Sequence, residues 1–254
     1  MICYRKAFLF GVTFDGSTPW YNLGVKEQGV KEQGMNEPFV VRDLGILDYK
    51  EAWAVQLETH AAVAEGRDSP TLLLVEHPPV ITFGRKGGRE NLLVKEDFLL
   101  GKGFSLYDIE RGGDITYHGP GQLVGYPIFK VGRSARDFLR KIEEALVQML
   151  KGYGLETHGS PGYAGVILGE TLKIASIGVA IKRDVSFHGF ALNVHTNLNH
   201  FNYIVPCGLT DKTMTSMTEQ LGRSITLDEV KPKVVEAFVN VFVAPKETRD
   251  LVIV

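Results

Sequence analysis

The sequence predicts an α/β protein of the α+β kind: a mixed β-sheet flanked by helices. Three observations predict it. Runs rich in β-branched and aromatic residues recur along the chain, amphipathic stretches at helical spacing separate them, and some runs are close enough to form hairpins. Strand groups separated by helices, with hairpins among them, argue against a doubly wound sheet. The 254 residues suit one large domain or two small ones and are ample for a substantial core.

Regular patterning begins at "FVVRDLG", from Phe39. Before it, residues 24–33 read "GVKEQGVKEQ", a tandem repeat too short for a solenoid and rich in glycine and charge. Residues 1–36 are therefore expected to be a flexible extension, with Met35 a candidate start, and residues 37–254 a single domain. Asp48 and Glu51 stand at capping-box spacing, and Trp53, Leu57, Ala61 and Ala64 recur behind them, which predicts a helix over roughly 48–65. "TLLLVEH" and "PVITFG" read as buried strands broken by Pro78 and Pro79. "FSLYDIE" and "QLVGYPIF" read as strands on either side of a glycine-rich loop. Ser134 caps a second predicted helix, about 134–151, whose apolar stripe is Phe138, Ile142, Ala145, Leu146 and Met149 and whose end is Gly152. "YAGVILGETLKIASIGVAI" predicts a hairpin turning near Gly169 and Glu170, and "FHGFALNV" another strand. Thr226 and Glu229 box a last helix, about 226–242, whose start Pro232 is able to shift.

Composition narrows the function classes. Hydrophobic residues make up 44% and charged residues 23%, as in ordinary globular proteins. A formal net charge of -2 excludes a nucleic-acid partner held by global charge, and no apolar run approaches a membrane span. Cys3 and Cys207 make no disulfide framework and fit a reducing compartment. The basic and apolar residues of "MICYRKAFLFGVTF" lead to no small-residue cleavage site, so secretion is not expected and a cytoplasmic location is.

The densest candidate for chemistry is "RGGDITYHGPGQLVGYPIF", Arg111 to Phe129. Glycine admits close approach of a ligand to the backbone, but glycines alone describe a tight loop. Arg111, Asp114, Tyr117 and His118 interleaved with them suggest a binding wall, one that matches neither a phosphate-cradling loop nor a dinucleotide fingerprint. In "TLKIASIGVAI", Lys173 reads either as an edge lysine that discourages strand aggregation or as a partly buried cation beside an acid. Cys207, in "YIVPCGL", reads either as a small buried hydrophobe or as a nucleophile whose thiolate a nearby cation favours. Lys173 is that cation if the hairpin and the turn meet. His188, His195 and His200 match no common zinc spacing, and no metal is expected.

Taken in order, "RGGDITYHGPGQLVGYPIF", "LKIASIGVAIKRDVSFHGFALNV" and "FNYIVPCGL" resemble the signatures of the lipoyl (octanoyl) transferases, the octanoyl-acyl-carrier-protein:protein N-octanoyltransferases of lipoate biosynthesis. The likeness runs from about Val41 to Phe242 and leaves the N-terminal repeat aside. It implies a fold like that of the biotin and lipoate protein ligases. It implies an acyltransferase that passes an octanoyl group from octanoyl-acyl carrier protein, through a thioester on Cys207, to a lysine of apo lipoyl domains, without ATP or another cofactor. Those acceptor domains belong to 2-oxoacid dehydrogenase complexes and the glycine cleavage H protein. Lys173 is implied to lower the pKa of Cys207. The acyl site is implied to be lined by Arg111, Gly112, Gly113 and Asp114, continuing through Ile115, Thr116, Tyr117 and His118. Two further stretches join it, Ser176, Ile177 and Gly178, and then Gly189, Phe190 and Ala191.

Physical chemistry is consistent with this scheme. A carrier thioester is already activated, exchange onto a second thiol is nearly balanced, and an amine then forms the more stable amide. Small residues at Gly178, Gly189 and Ala191 are expected to leave room for a narrow apolar tunnel. Arg85, Lys86 and Arg89 are candidates to meet an acidic carrier protein, unless they belong to a solvated loop. The alternatives are an ATP-dependent ligase on the same fold, which lacks a "GRGR"-type run here, a non-catalytic binding module, and a cysteine hydrolase.

Overall fold

The computed structural model describes residues 20–21, 38–132, 134–160, 164–205 and 212–243. Cys3, Met35, the tandem repeat and Cys207 lie outside the described residues. In chain order the strands begin with β1 (Trp20–Tyr21) and β2 (Val40–Ile46), followed by helix α1 (Tyr49–Ala64). Then come β3 (Thr71–Glu76), β4 (Val80–Phe83), α2 (Glu96–Gly101), β5 (Ser105–Asp108), β6 (Ile115–His118) and β7 (Gln122–Ile128). Helix α3 (Ala135–Gly152) leads to β8 (Thr157–Gly159), β9 (Gly165–Leu168), β10 (Leu172–Lys182) and β11 (Val185–Asn193). The chain continues through β12 (Thr213–Met214), α4 (Met217–Leu221) and α5 (Leu227–Phe242).

The larger sheet runs β1-β2-β3-β7-β11-β10-β9-β8, with β12 also on β10. It is mixed, as expected: β2–β3 and β10–β12 are parallel, while the other pairs are antiparallel. A smaller sheet has the order β5-β4-β6. Both faces of β3 are buried, and its side chains alternate between two cores. Leu72 and Leu74 join the cluster under α3 and α5, whereas Leu73 and Val75 join the one under α1. The expected hairpin is β9–β10, turning at Gly169. A second tight turn at Arg183 and Asp184, both at positive φ, connects β10 to β11.

Helix α3 follows its sequence pattern. Ser134 accepts a hydrogen bond from the Asp137 N–H, and Phe138, Ile142, Ala145, Leu146 and Met149 are all buried. Helix α5 starts at Leu227 beneath the Thr226 cap, so Pro232 sits inside it and does not shift its start. Helix α1 departs from its pattern in two ways. Asp48 caps through the Lys50 N–H rather than through a box with Glu51. Its buried face is Tyr49, Ala52, Gln56, Thr59, His60, Ala62 and Val63, while Leu57 is exposed. Polar side chains occupy that face because the sheet offers them backbone partners: His60 Nε2 lies 3.0 Å from the Lys182 carbonyl, and Gln56 Oε1 accepts from the His188 N–H at 2.9 Å. The glycine-rich stretch is also more than a loop, since Ile115 to His118 form β6 and pair with β4.

Candidate active site

A narrow cavity opens between the Arg111–Gly113 loop and the sheet formed by β10 and β11. Its volume is about 50 Å³. The loop and the sheet are tied directly, because the Gly112 N–H donates to the Val179 carbonyl at 2.9 Å. That closeness requires glycine: a Cβ at Gly178 would stand 2.9 Å from the Gly112 carbonyl oxygen. At Gly189, a Cβ would collide with the Gly125 carbonyl of β7. The two glycines therefore bring backbone against backbone to build the wall, in place of leaving open tunnel space at their own positions.

Strand register arranges the rest. Ser176 pairs with Ala191, Ile177 with Phe190 and Gly178 with Gly189, so the two predicted stretches form one continuous surface. All six line the cavity, as do Arg111, Gly112, Gly113, Thr116 and His118. Asp114, Ile115 and Tyr117 stand behind the wall. The Asp114 carboxylate accepts from Asn91 Nδ2 at 2.7 Å and from the Ile115 N–H, which braces the loop. Ile115 and Tyr117 pack into the core of the small sheet, where the Tyr117 hydroxyl is hydrogen bonded to His200 Nδ1 at 2.7 Å.

Lys173 lies at one end of the cavity and is only 2% exposed. A register irregularity between Lys173 and Ala175 on β10 marks its place. Its stem runs past Gly165, where a Cβ would meet Lys173 Cε at 3.1 Å. Strand β12 lies alongside, with Met214 paired to Lys173 and the Thr215 N–H donating to the Lys173 carbonyl. Cys207, six residues before β12, falls outside the described residues.

The opposite end is richer in polar rings than the sequence suggested. Tyr49, Tyr126 and His188 line the cavity, together with Val124. The usable signal for Tyr126 was a tyrosine within the otherwise apolar "QLVGYPIF". Tyr49 had none beyond following the Asp48 cap. His77 stands behind them, its Nδ1 2.8 Å from the Leu47 carbonyl and its Nε2 2.7 Å from the Tyr126 hydroxyl. The carbonyl requires a proton on Nδ1, so Tyr126 donates to Nε2. Burial lowers His77 to about 4. Burial, assisted by His77, lowers His118 to about 3. Burial, and then the charge of Arg111, lowers His188 to about 3. These imidazoles are neutral at neutral pH.

A buried polar chain connects the two ends. His118 Nδ1 is 2.8 Å from Gln122 Oε1, which leaves Nε2 as its accepting nitrogen. Gln122 Nε2 donates to Asn193 Oδ1 at 2.9 Å, and Asn193 Nδ2 donates to the Thr215 carbonyl at 3.0 Å. Arg111 is anchored by the Thr82 carbonyl at 2.8 Å and by the Gly112 carbonyl at 3.1 Å. Of the basic residues expected near an acidic partner, Arg85 and Lys86 are exposed, whereas Arg89 is engaged by Asp108 and Glu96. Among the described residues, no three His, Cys, Asp or Glu side chains group as metal ligands, and no helix is long and apolar enough to cross a membrane.

A partly apolar cavity with a buried lysine in its lining has the make-up of an enzyme's substrate site. The family model of the lipoyl protein ligase A/B catalytic domain matches residues 48–239. The chain is 51% identical over 219 residues to an octanoyltransferase of Deinococcus radiodurans, covering 80% of this chain and 65% of that protein. It is 46% identical over 204 residues to an octanoyltransferase of Caldicellulosiruptor bescii, covering 78% of this chain and 89% of that one. Among solved structures, a lipoate-protein ligase A bound with ATP superposes with a TM-score of 0.64 at 19% identity, covering 82% of this chain and 85% of that chain. A bipartite lipoate protein ligase from Thermoplasma acidophilum gives 0.63 at 20% identity, covering 82% and 84%, so the ligase-like fold is shared. The chain belongs to the lipoyl protein ligase A/B catalytic domain family and, within it, to the octanoyltransferases, acyl-transferring enzymes of lipoate biosynthesis.

Proposed function

We propose that this octanoyltransferase takes its acyl group from octanoyl-acyl carrier protein, holds it as a thioester on Cys207, and delivers it to a lysine of an apo lipoyl domain without ATP. The observation that supports the reading is the burial of Lys173 in the lining of the cavity, with β12, which follows the segment containing Cys207, paired beside it. In the first half, the Cys207 thiolate attacks the carrier thioester; the new C–S bond forms as the carrier's C–S bond breaks, and the carrier leaves as its thiolate. In the second, the acceptor amine attacks the Cys207 thioester, an amide forms, and the cysteine sulfur leaves with the electron pair. Lys173 favours the thiolate in the first half and manages the amine's proton in the second. Neutral His118 offers an acceptor nitrogen on the slot wall, and Arg111 ties the glycine loop to the Thr82 carbonyl of β4 in the smaller sheet.

The test combines octanoyl-acyl carrier protein, an apo lipoyl domain and the full chain in the absence of ATP. Octanoylated acceptor is expected, and transfer that requires ATP would overturn the reading. Cys207→Ser is expected to lose the octanoyl adduct seen by intact mass. Lys173→Ala is expected to slow transfer by about 10²–10⁴-fold and to raise the thiol pKa in an iodoacetamide rate profile. An unchanged profile removes the pairing.

A further inference from the structure

Helix α3 buries a carboxylate on its apolar face. Glu143 lies beside Ile142, Ala145 and Leu146 and is 4% exposed. Burial of a carboxylate is costly, and an apolar side chain of similar volume would serve packing at least as well. Each Glu143 oxygen has a partner. Oε1 accepts from the Gly165 N–H at 3.0 Å, and Oε2 accepts from Arg140 Nη1 at 2.5 Å. Gly159 of β8 lies against the same carboxylate, where a Cβ would stand 2.8 Å from Oε2. Gly165 in turn meets Lys173. A Cβ on it would stand 3.1 Å from Lys173 Cε and 3.7 Å from Nζ, so the glycine backbone packs on the tip of the lysine. The place of Gly165 is set by two hydrogen bonds: Glu143 takes its N–H, and its carbonyl accepts from the Ser160 N–H at 2.9 Å. It pairs with Ser176 on β10, just past the irregularity between Lys173 and Ala175.

A lysine stem has many rotamers, so the groups packed on its tip decide where a buried ammonium sits. We propose that Glu143 is a positioning residue for the transfer reaction: it holds Gly165 against Lys173 and so fixes the ammonium where it favours the Cys207 thiolate. This rests on the Cys207–Lys173 reading above. The coupling runs through one hydrogen bond to a backbone N–H, which a neutral amide oxygen also accepts. Glutamine therefore substitutes for Glu143, and leucine does not. Arg140 is half-exposed, so water takes the place of its partner when the charge is removed.

The experiment reads the pH profile of iodoacetamide labelling at Cys207 by peptide mass, with kcat and KM for octanoyl-acyl carrier protein, in the full chain. Glu143→Leu is expected to raise the thiol pKa by about one unit and to lower kcat about tenfold, with KM within about twofold of the wild type. Glu143→Gln is expected to match the wild type within about twofold in all three. In a Lys173→Ala background, Glu143→Leu is expected to move the profile no further, because the group it positions is gone. Three results overturn the proposal: a wild-type profile in Glu143→Leu, a loss in Glu143→Gln equal to that in Glu143→Leu, and equal effects of Glu143→Leu with and without Lys173. Gly165→Ala stands in if Glu143→Leu does not fold. Its methyl presses on Lys173 Cε, the same rise in thiol pKa is expected, and a wild-type profile overturns the proposal as well. A profile unmoved by Lys173→Ala alone instead overturns the Cys207–Lys173 reading, and the proposal falls with it.

Discussion

Helices α3 and α1 cover opposite faces of the same sheet, and they are buried by different chemistry. Helix α3 presents Phe138, Ile142, Leu146 and Met149 to a continuous apolar core that it shares with α5. Helix α1 presents Gln56, Thr59 and His60 alongside Ala52 and Val63, and beside it lie His77, His118 and His188. The buried exception on α3 is Glu143, whose Oε1 accepts from the Gly165 N–H at 3.0 Å, next to Lys173. Much of the polar burial therefore lies beside the slot, while the α3–α5 side is held chiefly by apolar packing.

The largest expected consequence is a stability that depends on pH and comes from the α1 side. His77, His118 and His188 have folded-state values near 4, 3 and 3, below the ordinary value of 6.5. Between those values the unfolded chain binds more protons than the folded one, so stability falls as pH drops below about 6.5 and continues to fall toward 3–4. Full stability is present above 6.5. The three together are expected to cost on the order of 5 kcal/mol between pH 7 and pH 5 in urea unfolding. His118→Gln is expected to flatten that slope by roughly 1.4 kcal/mol per pH unit. A slope equal to the wild type's would mean that His118 is protonated in the folded state, and the contrast between the faces would lose its electrostatic part.

On the dry face the corresponding test is Phe138→Ala. Phe138 is fully buried and meets Phe242 edge to face at 5.8 Å between centroids. Its truncation is expected to cost about 3–5 kcal/mol, with transfer per folded molecule unchanged. Slower transfer per folded molecule would show that the α3–α5 core shapes the slot and that the two faces are coupled.

The same contrast explains what was legible in the sequence. Helix α3 could be read residue by residue because its burial is a hydrophobic stripe, and period 3.6 reports such stripes. Helix α1 was found in place but rotated, because Leu57 stood out as apolar while Gln56 and His60, which are buried by hydrogen bonds from across the chain, did not. Strand β6 was hidden within a glycine-rich stretch because Ile115 and Tyr117 alternate over too few residues to stand out from a loop. The slot walls were legible as motifs: Ser176 to Gly178 and Gly189 to Ala191 are far apart in sequence, and register makes them neighbours. Tyr49 and His188 joined the slot through helix and strand placement, which spacing along the chain does not encode.

A smaller effect is expected at the boundary of the two regions. Gln56→Leu keeps α1 and its volume but leaves the His188 N–H without its acceptor, an expected cost of about 1–3 kcal/mol. Unlike Phe138→Ala, it is expected to slow transfer as well, because His188, which lines the slot, loses the bond that fixes its backbone. Loss of stability with unaltered transfer would assign Gln56 to packing alone.

The smallest effect belongs to the dry side and tests how far that side is from its optimum. Pro232 lies exposed in the second turn of α5, where it can give no N–H to the Asp228 carbonyl. Pro232→Ala restores that donor and a better helix former, and a gain of about 1 kcal/mol in urea unfolding is expected, with the transfer rate unmoved. The expected gain is set below the usual interior penalty because this early turn is closer to the positions where proline is tolerated. A gain in stability accompanied by slower transfer would mean that α5 has to yield during the reaction, and the apolar face would then belong to the mechanism as well as to the scaffold.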